Sequence, residues 1–363
     1  EKVISDIFFI FAVNYMAMIL KNRVLAGLLA FILLTSLVTE YSCNDSVRED
    51  RLQPEKQLVL KAQRFERDLF RDGVSPEDRL TALSRKYGTF YDLFFWQLTR
   101  LGSQDSLLMQ QRVQDFVSDT NFIAVYTACQ DKYADFTSYE SRLSDAFSRY
   151  AVAFPGKHIP QLVTTISVFS FPVICDSTHL ALSLDMYLNP GSRFYGTLQP
   201  PLPAYLQRRM RAEYLVADAM KGWLQSDYAA DENETDLVEQ MISAGRIQYA
   251  LKMLLPDEPD SVLTGYMASQ LSWTNQNEAQ VWSFFIDHEL LYTKDPNLLM
   301  KYVGEGPSTN GFPGDSPGNI GLYIGSRIVE SYMDGHPEVT LQRLMEFKDL
   351  HALFQSSKYK PRK

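Results

Sequence analysis

The chain has 363 residues, of which 45% are hydrophobic and 22% charged, a composition typical of a folded globular protein and not of a disordered one. Its 44 acidic residues outnumber its 35 basic ones, and the formal net charge of −9 argues against a nucleic-acid partner. Three cysteines are too few for a disulfide scaffold or for a zinc site made of four thiolates.

The first 43 residues have the order of an export signal. Read from Met16 or Met18, a short basic stretch is followed by the apolar segment from Val24 to Val38 and then by Cys43. That segment is shorter than the roughly 20 residues that a membrane-spanning helix needs. We expect residues 1–43 to be an upstream segment plus a lipoprotein signal peptide, with Cys43 as the lipidated residue. The alternatives are an uncleaved anchor or a translation artefact upstream of a soluble domain.

Residues 44–56 are polar, contain Pro54 and predict a flexible tether. No strong boundary signal follows Pro54, so we expect residues 57–363 to form a single globular domain.

The first part of this domain is predicted to be helical. Apolar residues recur at helical spacing from Gln57 to Phe70, and Ser75-Pro76 supplies the N-cap and first-turn residues of a second helix. Aromatic residues between Tyr87 and Leu101 also follow helical spacing, which is more typical of core packing than of a ligand site.

Prolines and a glycine between Phe154 and Pro160 end the helical pattern. β-branched and aromatic residues from Gln161 to Phe171, followed by alternating leucines from His179 to Asp185, predict strands. We expect a small antiparallel sheet in a predominantly α-helical α+β fold. Helical patterns return, first from Tyr205 to Gln225 and later from Glu278 to Tyr292.

The metal motif that comes nearest to a match is His288-Glu289-Leu290-Leu291-Tyr292. It begins like a zincin helix but has Tyr292 where the second zinc-binding histidine must stand, and a phenol replaces an imidazole poorly. We interpret this motif as incidental. A fold that brought His179, Asp185 and His288 together would instead favour a metal-dependent hydrolase with an unrecognised ligand set. The sequence has no Gly-x-Ser-x-Gly nucleophile elbow and no P-loop.

Three glycines suggest a close approach between chain segments. Ser316-Pro317 predicts a helix start, and Gly318, Gly321 and Gly325 then share one helix face. Because glycine costs helix stability, such a face indicates close contact. It is either tight packing on a neighbouring element or the wall of a cleft that holds a peptide. Arginines at positions 208, 209 and 211, beside Glu213, predict a basic helix face that is either solvated or internally paired, or that holds an anionic partner.

Several landmarks follow one another along the chain: Arg64 to Phe70, Leu184 to Leu188, Trp273 to Trp282, Ser316 to Gly321, and Ser357 to Pro361. In this order they resemble the gliding-motility-associated lipoproteins of the GldB type from the Bacteroidetes. The resemblance covers nearly the whole exported part of the chain.

That family is similar to zinc-dependent peptidases of the zincin type, so the resemblance implies a zincin-like peptidase architecture. The zinc-binding helix would fall within Tyr205 to Met220, where this sequence has Arg208-Arg209-Met210-Arg211-Ala212-Glu213. The downstream Glu-Gly of the zincin pattern appears as Ala244-Gly245. The resemblance thus implies no metal, no cofactor and no catalysis.

The resemblance further implies a lipoprotein of the bacterial cell envelope that faces the periplasm. It would be bound to the bilayer through the acylated cysteine and associated with gliding motility, the linked secretion machinery or envelope maintenance. We expect a non-catalytic, peptidase-like interaction protein whose partner is an unidentified envelope protein or peptide. A plain envelope scaffold without a cleft and the metal-dependent hydrolase are the alternatives. The candidate cleft residues are Asp185, Tyr187, Arg208, Arg209, Gly318, Gly321, Tyr323, Gly325 and Arg327.

Overall fold

A computed structural model describes residues 52–228 and 236–362. The predicted signal peptide, Cys43 and most of the tether lie outside the described residues. Within the two described ranges, no helix combines the length and the apolar character that crossing a bilayer requires.

Helices make up most of the described chain. In order they are α1 (Phe65–Leu69), α2 (Pro76–Tyr87), α3 (Thr89–Asp92), α4 (Ser106–Ser118), α5 (Thr120–Lys132), α6 (Thr137–Ala153), α7 (Arg193–Thr197), α8 (Ala204–Gln207), α9 (Leu215–Asp227), α10 (Leu237–Leu254), α11 (Asp260–Thr264), α12 (Ala268–Asp287), α13 (Pro296–Val303), α14 (Ile320–Gly335), α15 (Leu341–Glu346) and α16 (Leu350–Ser357). A π-helix (Leu93–Leu98) and two 3-10 turns (Leu184–Tyr187 and Ala212–Tyr214) complete the helical elements. The helix predicted from Tyr205 to Gln225 is therefore broken into α8, a 3-10 turn and α9.

The sheet is mixed and not purely antiparallel. Its strands are β1 (Gln63–Arg64), β2 (Gln161–Thr165), β3 (Val173–Cys175) and β4 (His179–Ser183), in the spatial order β1-β2-β4-β3. β2 pairs in parallel with both β1 and β4, whereas β3 and β4 are antiparallel. The prediction of an antiparallel sheet was wrong because the chain turns back through β3, so that β4 enters beside β2 in the same direction.

The segment before α1 is extended and not helical as its apolar spacing predicted. The backbone N–H groups of Leu58 and Leu60 donate hydrogen bonds to the hydroxyls of Ser148 and Ser144 on α6, at 2.8 and 2.9 Å. These hydroxyls satisfy backbone donors that a helix would have satisfied internally. Helix α1 therefore begins only at Phe65.

Aromatic residues form the core of the N-terminal half, as the sequence predicted. The ring of Phe65 lies 4.8 Å from that of Tyr87, 5.2 Å from that of Phe90 and 4.6 Å from that of Phe94, and all four residues are buried. Ser75 caps α2 by accepting a hydrogen bond from its third residue, which confirms the predicted helix start.

Glycines make the contact between α10 and α14 unusually close. A Cβ atom on Gly325 would lie 1.7 Å from the carbonyl oxygen of Met241, and one on Gly245 would lie 2.3 Å from the carbonyl group of Gly325. A Cβ on Gly321 would lie 2.8 Å from a methyl group of Val303. The glycine face was interpreted either as tight packing on a neighbouring element or as a cleft wall, and these distances show tight packing at Gly321 and Gly325.

The start of α14 differs from the prediction. The helix begins at Ile320, so Ser316-Pro317 and Gly318 precede it in a turn. The hydroxyl of Thr309 lies 2.6 Å from the Pro317 carbonyl oxygen and accepts a hydrogen bond from the Ile320 N–H. These hydrogen bonds stabilise the turn, so the helix begins three residues later than predicted. Gly318 packs instead on Gly306, whose carbonyl oxygen a Cβ would approach to 2.0 Å.

Candidate binding pocket between strand β3 and helix α9

A pocket of ≈ 430 Å³ lies beside the start of β3 and helix α9. We call it the β3–α9 pocket. Its walls come from the loop after β2, the first 3-10 turn, α8, α9 and the segment after α13. The lining residues are Phe169, Ser170, Pro172, Val173, Met186, Tyr187, Leu202, Leu206, Arg209, Met210, Asp218, Lys221, Gly222, Gln225 and Glu305. A volume of this size is typical of sites that hold small molecules or short peptide segments.

Glycine at position 222 lets α9 lie against the sheet at the pocket. A Cβ on Gly222 would meet a methyl carbon of Val173 on β3 at 2.6 Å. Any larger side chain here would separate α9 from the edge of the sheet.

Ionic pairs order one side of the pocket. The guanidinium of Arg209 lies 3.2 Å from a carboxylate oxygen of Asp218 and 3.2 Å from one of Glu305. The hydroxyl of Tyr187 donates to the other oxygen of Asp218 at 3.1 Å. Burial and the neighbouring Asp218 charge raise the pKa of Tyr187 well above its ordinary value, so its hydroxyl stays protonated as a donor.

Lys221 stands on the same face of α9 as Asp218, one turn further along. Its side chain is half-buried and lines the pocket. Burial lowers the pKa of this amine, and repulsion by the Arg209 charge lowers it further. Unlike the arginine, Lys221 makes no hydrogen bond or ion pair within the described part of the chain.

Asp185 lies beneath the pocket and supports its wall. The residue is fully buried, and its carboxylate accepts hydrogen bonds from the backbone N–H groups of Ser167 (3.0 Å) and Phe169 (2.6 Å). Val168 and Phe169 have φ angles of 58° and 60°, a left-handed conformation that is costly for a β-branched residue such as valine. Asp185 thus stabilises a strained turn that presents the Phe169 ring to the pocket.

We expect a pH-dependent stability contribution from Asp185. Burial raises the pKa of its carboxyl group from 3.8 to about 6, although the backbone hydrogen bonds oppose this shift. A raised pKa in the folded state means that folding takes up a proton between these two values, so stability rises as pH falls through this window. Between about pH 7 and about pH 4, the free energy of unfolding should rise by about 2 to 3 kcal/mol more in the wild type than in Asp185→Asn.

Denaturant unfolding of both proteins at the two pH values measures this difference, because the other titrating groups cancel between them. Equal pH responses in the two proteins would contradict the buried, proton-binding carboxyl group.

The structure brings only part of the predicted cleft together. Tyr187 and Arg209 line the pocket, and Asp185 lies directly beneath it. Arg208 is half-buried and does not line the pocket, while Arg211 lies 3.8 Å from the carboxylate of Glu213 in an exposed pair.

The other predicted cleft residues lie elsewhere. Gly318, Gly321 and Gly325 pack against backbone or side chains of neighbouring segments and do not line the β3–α9 pocket. Tyr323 and Arg327 contact the buried carboxylate of Glu278 on α12, at 2.9 and 3.3 Å. That contact ties two helices together, and neither residue lines the pocket.

The His-Glu motif is not on a helix. Helix α12 ends at Asp287, His288 is its C-cap, and Glu289 has a φ of 54°, so the segment does not continue as a helix to Tyr292. The spacing that would place two metal ligands one turn apart is therefore lost.

The three residues considered for an unrecognised metal site do not form a ligand group. The ring of His179 lies 3.0 Å from the carboxylate of Asp176, and the carboxylate of Asp185 accepts backbone hydrogen bonds. His288 contacts the Phe284 carbonyl oxygen at 2.9 Å.

Within the two described ranges, the group of three side chains close enough to share a metal ion is Asp236, Glu239 and His351. Asp236 and Glu239 form the capping box at the start of α10. The ring of His351 lies 2.9 Å from Asp236, which links α16 to that helix end. The capping role alone accounts for the arrangement of both carboxylates.

Four pocket residues were not predicted from the sequence: Asp218, Lys221, Gln225 and Glu305. The first three recur at helical spacing on α9, as a polar stripe on a largely apolar helix, and this pattern was the available signal. Glu305 is brought to the site by tertiary structure alone, which no local pattern reveals.

The chain was compared with known families and proteins. The family model described as "Gliding motility protein GldB" matches residues 47–361, a range that includes every pocket residue. No curated protein and no solved structure matches the chain.

Proposed function

This chain belongs to the GldB family of gliding motility proteins, and on that premise we propose that it is a lipid-anchored, non-catalytic interaction protein of the bacterial envelope. Cys43 carries the lipid, the domain faces the periplasm, and the β3–α9 pocket receives a segment of an envelope protein or peptide. The partner belongs to the gliding machinery, the linked secretion machinery or envelope maintenance.

The family match carries this proposal. It spans residues 47–361, beginning a few residues after Cys43 and including the pocket. Membership in a family of motility-associated lipoproteins supports both an envelope location and the anchoring cysteine.

The chemistry of the pocket favours binding. Its two carboxylates, Asp218 and Glu305, are both paired with Arg209. An acid or base needs an unshared proton or lone pair directed at the substrate, whereas both of these carboxylates contact the Arg209 guanidinium. The peptidase-like origin of the fold remains a prediction from the sequence resemblance.

The metal-dependent hydrolase remains the second candidate because Asp236, Glu239 and His351 converge. Their carboxylates already cap α10, so metal binding would compete with the helix cap. Zinc-dependent cleavage of a peptide library by the purified full chain would reject the non-catalytic role.

Lipidation gives a direct test of the proposed anchor. In a bacterium that processes lipoproteins, the wild-type chain should incorporate radiolabelled palmitate and Cys43→Ser should not. Cys129→Ser and Cys175→Ser are matched controls that should label like the wild type. Both thiols are free, and burial raises the pKa of each, to about 12 for Cys175. Palmitate retained by Cys43→Ser contradicts the assignment.

Photo-crosslinking in native cells tests the pocket as the partner site. Phe171 is 54% exposed and stands between the lining residues Ser170 and Pro172. A photoreactive phenylalanine analogue at this position should give a discrete adduct with an envelope protein in the membrane fraction. The same analogue at Tyr292, which is 61% exposed and does not line the pocket, should not give that adduct. Identical adducts from both positions count against a pocket-directed partner.

A further inference from the structure

The two cations of the β3–α9 pocket differ in their partners. Arg209 has a carboxylate on each side, from Asp218 and Glu305. Lys221 lines the same cavity, yet within the described ranges its ammonium group makes no hydrogen bond and no ion pair. The pocket therefore offers one strong hydrogen-bond donor that the protein itself does not use.

An unpaired ammonium group in a half-buried position is unfavourable unless something compensates its charge. Burial lowers the pKa of Lys221 most and the nearby Arg209 charge lowers it further, and the Glu305 and Asp218 charges offset these effects only in part. A carboxylate entering the cavity would remove this penalty, because it supplies the acceptor that the ammonium group lacks.

The other residues that line the pocket indicate what kind of molecule bears that carboxylate. Large apolar side chains make up much of the lining, namely Phe169, Met186, Leu202, Leu206 and Met210. Gln225 and Glu305 add polar acceptors at the wall. Gln225 is exposed, and Arg209 contacts only one of the two Glu305 carboxylate oxygens, so the N–H groups of a peptide backbone can donate to both side chains, whereas a plain alkyl chain offers them no donor.

We propose that the β3–α9 pocket binds an apolar peptide segment through its carboxylate, with the ammonium group of Lys221 as the counter-ion. This inference rests on the proposed partner-binding function and names its ligand chemistry. The carboxylate is either a free C-terminus or an acidic side chain, and both sources present the same group to Lys221.

Calorimetric titration of the full chain in detergent tests the proposal with defined probes. N-acetyl-leucyl-phenylalanine, which ends in a free carboxylate, should bind about 10- to 100-fold more tightly than its C-terminal amide. The amide of N-acetyl-leucyl-glutamate, whose only carboxylate is on the side chain, separates the two sources. Lys221→Met keeps the apolar stem of the side chain and should reduce binding of the acid to the level of its amide.

Lys294→Met is the matched control, because Lys294 is exposed and lies outside the pocket. It should bind all probes like the wild type. Lys221→Arg, which restores the positive charge, should recover part of the affinity. Thermal unfolding of each variant checks that the fold is intact.

Three results would overturn the proposal: equal affinity for acid and amide, unchanged acid binding by Lys221→Met, or preference for decanoate over both carboxylate peptides. Each of these leaves the palmitate-labelling result untouched, so failure of the ligand assignment is distinguishable from failure of the lipoprotein assignment.

Discussion

Replacing Gly325 with alanine should lower the free energy of unfolding by about 3 to 5 kcal/mol, since two helix backbones must separate. The new Cβ would lie 1.7 Å from the Met241 carbonyl oxygen, which is backbone and cannot rotate away. Gly245 approaches Gly325 from the other helix, so both sides of the contact are already without side chains. Denaturant unfolding followed by circular dichroism measures the loss.

Gly335→Ala is the matched control, because Gly335 is on the same helix and a Cβ there would have no atom within 4 Å. Alanine is the better helix former, so this variant should be unchanged or more stable by up to about 1 kcal/mol. Wild-type stability in Gly325→Ala would show that the two helices do not cross as closely as described. A bulky residue at Gly325 would impair partner capture through unfolding, so it cannot serve as a test of the pocket.

Replacing Glu278 with alanine should cost about 2 to 4 kcal/mol, because it leaves the buried Tyr323 hydroxyl and the half-buried Tyr359 hydroxyl without their shared acceptor, while the half-buried Arg327 keeps its pair with Glu330. Glu278 is 2% exposed. It accepts hydrogen bonds from the hydroxyls of Tyr323 and Tyr359 at 2.9 Å each, and from the backbone N–H of Arg362 at 3.2 Å. The C-terminal segment should also detach, which digestion by a carboxypeptidase would report as faster trimming.

Glu338→Ala provides the control, since Glu338 is exposed and should change stability by less than about 0.5 kcal/mol. A chain ending at Ser357 lacks the partners contributed by Tyr359 and Arg362. In that shortened chain, Glu278→Ala should cost less than in the full chain, and the difference measures the coupling. Full additivity of the two changes would argue against the described contacts.

Local patterns predicted the parts of the fold that depend on local forces. The cap at Ser75 and the aromatic core around Phe65 follow from helical spacing and capping chemistry, and the structure confirms both. The predominantly helical α+β fold and the family were likewise predicted and are confirmed.

The predictions that failed depended on contacts between distant residues. The segment containing Leu58 and Leu60 has helical spacing, but hydroxyls on α6, 84 and 90 positions away, stabilise it in a non-helical conformation. The Thr309 hydroxyl, which likewise lies outside the local sequence pattern, hydrogen-bonds to Pro317 and Ile320, so α14 begins at Ile320 and not at Pro317. The predicted antiparallel pairing was wrong because strand-like sequence patterns do not specify which strands are neighbours in the sheet.

Only part of the candidate site was predicted, because its residues are brought together by contacts between distant parts of the chain. Tyr187 came from the landmark resemblance and Arg209 from a cluster of arginines, and both line the pocket, whereas the glycines came from a periodicity that cannot distinguish a helix crossing from a cleft. Lys221 was missed because its importance lies in the absence of a partner among the described residues, which only the folded structure reveals.

Among the described residues, the first backbone group that hydrogen-bonds to the folded body is the N–H of Leu58, which donates to the Ser148 hydroxyl. If Cys43 carries the lipid, the chain between it and Leu58 can span at most roughly 50 Å when fully extended. This length sets an upper bound on how far from the bilayer surface the body can operate. A partner embedded in or lying against the same leaflet is within reach, and one on the opposite side of a wide compartment must itself extend towards the membrane.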